Sequence, residues 1–285
     1  MRWLALLMAA AVIAFTGLQP AWAATPAGYV VEAELPDGAG SGAVIRNGVE
    51  LPARLLMPVY EGDVVFVRGD AGRIVVELGE GETVVVGPDM PRLEVRGEIA
   101  TGDDAWSLLD ALAAALSGDS DETPENMAAR GDPSTIIVAA SGRGRNLLPL
   151  GLGEVGLQWS GGTGPYRVSL EGTGGKTVLA ETAEPVAVAP LAAATGEKFV
   201  ITIEDSRGVS RRLRFAWREK TPEAPSALLA RAGGQAAVLA RAAWLAAAED
   251  GAWALAAAEN LRRNPFKDES SARLRSMILS GWKPR

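Results

Sequence analysis

The chain has 285 residues, no Cys, no His and a formal charge of −7. Those two zeros exclude disulfides, thiolate nucleophiles, Ser-His-Asp triads and the commonest zinc and haem ligand. With 48% apolar and 22% charged residues, it can build a sizeable core and is not a disordered polymer.

Residues 1–23 read as an export signal. Arg2 supplies the positive start, Leu4 to Leu18 is an uncharged apolar run, and Ala21-Trp22-Ala23 has the small-x-small pattern that signal peptidase cuts. Fifteen apolar residues fall short of the ~20 needed to span a bilayer, and Pro20 comes directly after them. Cleavage after Ala23 is expected, leaving no stable membrane span and placing the protein in the periplasm or cell envelope. The mature N-terminus from fractionated cells should therefore read from Ala24, and cytoplasmic protein starting at Met1 would refute export.

From Tyr29 to about Arg96 the pattern is strand and turn. Tyr29, Val31, Ala33 and Leu35 alternate with their neighbours, and Pro36-Asp37-Gly38 turns the chain. Asn47-Gly48 lies between Ala43-Val44-Ile45 and Val49-Glu50-Leu51, a hairpin signal because a type I′ turn needs positive φ at both central residues. Val64 to Val67, Ile74 to Leu78 and Thr83 to Val86 come next, separated by Gly-rich turns, so an all-β roll or sandwich is expected.

The runs Leu55-Leu56-Met57-Pro58-Val59-Tyr60-Glu61-Gly62-Asp63-Val64-Val65, Gly72 to Leu78 and Gly81 to Gly87 resemble the FecR domain over roughly residues 44–96. The resemblance implies a periplasmic β module that contacts another protein. The sigma-factor relay of the founding members needs a cytoplasmic segment ahead of a membrane span, and that role does not carry over.

Asp103-Asp104 can cap a helix over Asp103 to Ser117, with Trp106, Leu109, Leu112, Ala113 and Leu116 on one face. It completes a FecR-like domain over 27–117. Residues 118–134 are polar with two prolines and read as a linker. The acids Asp119, Asp121, Glu122 and Glu125 lack the Gly and bidentate Glu spacing of an EF-hand.

Residues 135–220 carry about seven short strands: Ile136-Ile137-Val138, Val155 to Trp159, Tyr166 to Leu170, Thr177 to Ala180, Val186 to Val188, Phe199 to Ile203 and Leu213 to Trp217. That is the count of an immunoglobulin-like sandwich. Leu157 to Val168 resembles the strand-turn-strand opening of bacterial Ig-like and fibronectin-like modules, and Asp205-Ser206-Arg207-Gly208 resembles the hairpin near their end. The cysteine pair of antibody domains is missing, so the resemblance implies the architecture alone.

Residues 221–285 form an Ala-rich helical segment, with 17 Ala in the 35 residues from 224 to 258. Breaks at Gly233-Gly234, Asp250-Gly251 and Asn264-Pro265 place helices near Gln235 to Ala248, Ala252 to Arg263 and Glu269 to Ser280. Trp244 to Asn264 resembles one tetratricopeptide repeat. A lone repeat cannot bury its own face, so these helices are expected to dock on a neighbouring domain. The fold expected is thus mostly β with a helical C-terminus.

Gly151-Leu152-Gly153-Glu154-Val155-Gly156 satisfies G-x-G-x-x-G, but the chain then runs into Gln158-Trp159 and the glycine-rich stretch Gly161 to Pro165, which cannot open a helix on a pyrophosphate. Gly175-Lys176-Thr177 ends like a phosphate-binding loop, yet position 170 is Leu, so a hairpin turn is expected there. No cofactor, metal or catalytic group is assigned. Trp159, Tyr166 and Trp217 either fill the core or form an aromatic platform for sugar rings. From Glu61 to Glu125 there are sixteen acids against four bases, and from Arg207 to Arg285 fifteen bases against seven acids. Arg262, Arg263, Lys267, Arg273, Arg275, Lys283 and Arg285 are thus a candidate surface for internal docking or an anionic partner, unless they are simply solvated. Nucleic acid does not suit an exported chain with a pI near 4.9. The function expected is a non-catalytic envelope protein that scaffolds or senses through protein contacts, with glycan or peptidoglycan binding as the alternative.

Overall fold

The computed structural model describes residues 25–35, 41–69, 72–79, 82–97, 104–117, 134–141, 144–232, 234–264 and 269–284. The export signal, the Pro36-Asp37-Gly38 turn, the linker up to Pro133 with its four acids, and Lys267 and Arg285 lie outside the described residues. The chain is mostly β, in several antiparallel sheets, with a helical C-terminus.

Eight strands build the first unit: β1 (Gly28–Glu34), β2 (Gly42–Arg46), β3 (Val49–Pro52), β4 (Pro58–Val59), β5 (Val64–Val67), β6 (Arg73–Leu78), β7 (Thr83–Val86) and β8 (Arg92–Glu94). They form two four-stranded sheets, ordered β4-β1-β6-β7 and β3-β2-β5-β8. Side chains alternate between the faces of a strand, so Val30, Val44, Val59, Val65, Ile74, Val76 and Val86 meet in the interior between the sheets. Asn47 and Gly48 have φ of 51° and 79° and join β2 to β3 with Arg46 opposite Val49, as the type I′ turn requires. Replacing Gly48 by Ala should cost about 1 kcal/mol, read as a lowered melting temperature, because a side chain disfavours positive φ.

The Gly62-Asp63 pair acts as a clasp. Gly62 takes φ of 85°, and the Asp63 carboxylate, 2% exposed, accepts the Tyr60 amide at 2.9 Å and the Arg46 guanidinium at 2.8 Å. Arg46 also lies 4.3 Å over the Tyr60 ring. A buried carboxylate is thereby supplied with charged and neutral donors.

The second unit comprises β9 (Ile136–Ile137), β10 (Asn146–Pro149), β11 (Glu154–Gln158), β12 (Ser160–Gly161), β13 (Tyr166–Gly172), β14 (Gly175–Thr182), β15 (Val186–Pro190), β16 (Lys198–Glu204) and β17 (Ser210–Arg218). A five-stranded sheet runs β10-β17-β16-β13-β14, beside the pairs β11-β15 and β9-β12. The β10–β17 pairing is parallel and the others are antiparallel. Leu157, Val168, Leu170, Ile201, Ile203, Leu213 and Phe215 fill its interior, with Phe199 and Phe215 stacked at 5.2 Å. Gly175-Lys176-Thr177 opens β14 in a hairpin with β13, Gly175 having φ of 101°.

Five helices follow among the described residues: α1 (Asp104–Ser117), α2 (Ser226–Ala232), α3 (Gly234–Gly251), α4 (Ala254–Arg263) and α5 (Glu269–Leu279). The helical path of α3 breaks at Ala248, where ψ reaches 138°, and Glu249 and Asp250 turn left-handed. Small alanines let the backbones approach closely, and Trp253, 1% exposed, fills the space at the bend. Helix α3 packs on β1, α4 packs on β10 and β11, and α1 packs on α2 and α3. The Leu147 amide donates to the Ala252 carbonyl at 2.8 Å, tying the bend to β10.

The C-terminal helices therefore dock on both β units, where the sequence pointed to a single neighbour. Strand β1 is buried on both sides: Val30 faces the interior between the sheets, whereas Tyr29 and Val31 join the helices. One continuous apolar cluster runs from Tyr29, Val31, Leu55 and Leu56 through Leu109, Leu239, Leu255 and Ile278 to Leu147 and Phe215. Burial pushes the Tyr29 phenol well above its usual range, and the Asp110 carboxylate that accepts its hydrogen bond pushes the same way.

Candidate functional site

Arg262 and Arg263 stand at the end of α4, where they converge on Glu259 one turn back. Glu259 is 2% exposed; its carboxylate receives Arg262 Nε at 3.0 Å and Arg263 Nε at 2.9 Å. Arg262 also bonds across to Glu154 on β11. Its proton is held well above the ordinary arginine range, first by the Glu259 hydrogen bond, against burial, and then by Glu154.

Arg275 comes from α5 to the same junction. A Cβ placed on Gly156 would lie 3.1 Å from Arg275 Nη2 and 4.0 Å from a Glu259 oxygen, so the bare glycine leaves room for the guanidinium. The Arg275 Nε is buried without a hydrogen-bond partner. The G-x-G-x-x-G run is thus a turn leading into a strand, with Gly156 in β11. Arg262 and Arg263 are engaged at this junction, with side chains 33% and 43% exposed, and Arg275 reaches it from α5. Arg273 of α5 joins no ion pair among the described residues. Lys283 Nζ donates to the Asp250 carbonyl at 2.7 Å and so ties the chain end to the bend.

The aromatic platform is not assembled. Trp159 and Tyr166 are 4% and 6% exposed and pack edge to face at 5.2 Å, while Tyr166 Oη donates to the Gly161 carbonyl at 3.1 Å. Trp217 leans on Phe199 at 5.3 Å, and its indole N–H reaches the Ala194 carbonyl at 3.3 Å. Two of the three rings therefore offer no face to a sugar, because the interior of the second β unit claims them.

Asp205 fastens the turn between β16 and β17. Its carboxylate accepts the amides of Thr163, Arg207 and Val209 at 2.8, 2.9 and 2.8 Å. Burial alone would raise its proton affinity, but these three donors and the Arg207 charge together hold it below the usual carboxylate range. A depressed folded pKa stabilises the protein above the unfolded pKa, and that contribution disappears as pH falls through the folded value. Asp205→Asn should accordingly lower the melting temperature at neutral pH, with the gap to the parent narrowing in acid. A gap independent of pH would refute this assignment.

The outer face of the five-stranded sheet carries a groove of about 700 Å³. It is lined by Arg145 ahead of β10, Arg212 and Arg214 on β17, Lys198 on β16 and Glu171 on β13, with Val200 and Ala216 between them. A smaller hollow of about 300 Å³, which Arg211 also lines, continues it. The alternation of β17 turns Leu213 and Phe215 inward and Arg212 and Arg214 outward. Arg212 pairs with Glu171 at 3.1 Å, whereas Arg145, Lys198, Arg211 and Arg214 have no carboxylate partner among the described residues. The sequence reading passed over this face; its signal was Arg212-Leu213-Arg214 at strand spacing.

Among the described residues no His, Cys, Asp or Glu cluster could hold a metal ion, and no helix is long and apolar enough to cross a membrane. The chain matches no family model, no curated protein and no solved structure.

Proposed function

We propose that this is an exported, non-catalytic cell-envelope protein that scaffolds or senses through protein contacts. In this reading the first unit is FecR-like and the second Ig-like. The Gly62-Asp63 clasp between paired four-stranded sheets supports the former. For the latter, the support is a five-stranded sheet against β11-β15, closed by the parallel β10–β17 pair.

The observation that carries the reading is the cationic groove on the outer sheet of the second unit. Unneutralised cations grouped on one rigid face of an acidic chain mark a contact surface for a partner of opposite charge. Immobilised mature protein should retain an envelope polypeptide, and a chain carrying Arg145→Glu and Arg214→Glu should lose it. Retention of purified peptidoglycan with no polypeptide would overturn the reading in favour of glycan binding.

A further inference from the structure

We infer that the groove on the outer sheet takes an extended, acidic segment of a partner polypeptide, with its carboxylates on Arg145, Arg214 and Lys198, which have no carboxylate partner among the described residues, and an apolar side chain beside Val200. This rests on the protein-contact reading above and names the chemistry of the partner.

Three features of the groove point to that occupant. The first is spacing. Lys198 lies opposite Ala216, two residues on from Arg214, so these two cations are offset by about 6.8 Å along the strands, which is also the repeat of alternate side chains in an extended peptide. Cross-strand pairing sets Val200 opposite Arg214 and Lys198 opposite Ala216, so the positive row continues onto β16. On the other side, Arg145 precedes Asn146, which pairs with Phe215. The cations therefore run across the face from the edge strand β10 over β17 to β16, where a peptide lies over the face.

The second feature is the mixture of charges. Glu171 sits within the groove, 3.1 Å from Arg212. A dense polyphosphate would meet that carboxylate at every alignment, whereas a peptide with spaced carboxylates can avoid it. The third is the wall. Gly172 and Val200 line the space between the cations. Phe199, Ala216 and Phe215 are buried beneath it, so Val200 and Gly172 supply the accessible apolar surface, which suits a hydrophobic side chain and not a run of phosphates.

The test uses the mature full chain and three fluorescent probes: a peptide of alternating Glu and Val, a matching peptide of alternating Lys and Val, and linear polyphosphate. The Glu peptide should bind at low salt and weaken at least about tenfold as salt approaches 1 M, where the Debye length is ~3 Å. The Lys peptide should not bind. Arg145→Glu with Arg214→Glu should weaken binding at least tenfold, and the milder Arg145→Gln with Arg214→Gln should fall between. Arg241→Glu, on the exposed side of α3, should leave binding unchanged. Circular dichroism melts of each variant keep a folding defect distinct from lost binding.

Polyphosphate binding as tight as the peptide, or peptide binding insensitive to salt or to both groove variants, would overturn the inference. Failure of the peptide while an envelope polypeptide is still retained would sink this partner chemistry and leave the protein-contact reading standing. Failure of both would remove the two together.

Discussion

A chain ending at Pro222 is expected to lose the cooperative melting transition of the full protein and to bind hydrophobic dyes. The truncation removes α2 to α5 and with them Leu228, Leu239, Leu245, Trp253, Leu255, Leu261, Leu274 and Ile278, all in the apolar cluster that includes Tyr29, Val31, Leu147 and Leu157. Each large side chain contributes roughly 1.5–3 kcal/mol on burial, against a total stability of about 5–15 kcal/mol for a typical domain. What remains would expose the outer face of β1 and the sides of β10 and β11 that the helices cover. The charge difference between the two halves of the chain suggests a salt-sensitive junction instead. The structure places apolar packing there, with Arg262 and Glu154 as one ion pair across it. Helices supplied separately should therefore rescue the truncated chain almost equally at low and high salt. A truncated chain that melts cooperatively near the parent temperature would overturn the shared core.

Glu259→Ala should lower stability by about 3 kcal/mol, the lower end of the range for removing one partner of a buried pair. The lower end applies because the Arg262 and Arg263 side chains are 33% and 43% exposed, so water can partly replace the lost carboxylate. At roughly 2–4 °C per kcal/mol for a domain of 150–250 residues, the melting temperature should drop by about 6–12 °C. Without Glu259, Arg262 keeps Glu154 as a partner, whereas Arg263 loses its one ion pair among the described residues. Arg262→Ala in the Glu259→Ala background should cost less than it does alone, because the two positions share one network. Additive losses, or a Glu259→Ala melt within about one degree of the parent, would show that the cluster does not hold the junction.

Much of the strand pattern could be read locally. Val64–Val67 and Thr83–Val86 appear at their expected places, and β2 and β3 flank Asn47-Gly48 as the turn chemistry demands. The breaks at Asp250-Gly251 and Asn264 separate α3, α4 and α5. Strands β4, β8, β10 and β12 and helix α2 were not anticipated. The four strands have two to four residues and α2 has seven, too short for periodicity to register. The candidate residues fared differently. A basic tail looks the same in sequence whether its arginines face water or a buried Glu259, and Trp159 has the same neighbours whether it is core or platform.

Features that depend on a window of about ten residues could be read from the residues alone: alternation at period two, positive φ at Asn-Gly, and Ala-rich runs stopped by glycine and proline. Long-range packing sets the rest: the helices serve two β units, Gly156 yields its space to Arg275, and Arg145, Lys198, Arg212 and Arg214 share a groove. These residues lie up to about 120 positions apart. Their meeting is set by how whole sheets and helices bury their apolar faces against one another, a constraint on the entire chain that no local pattern records.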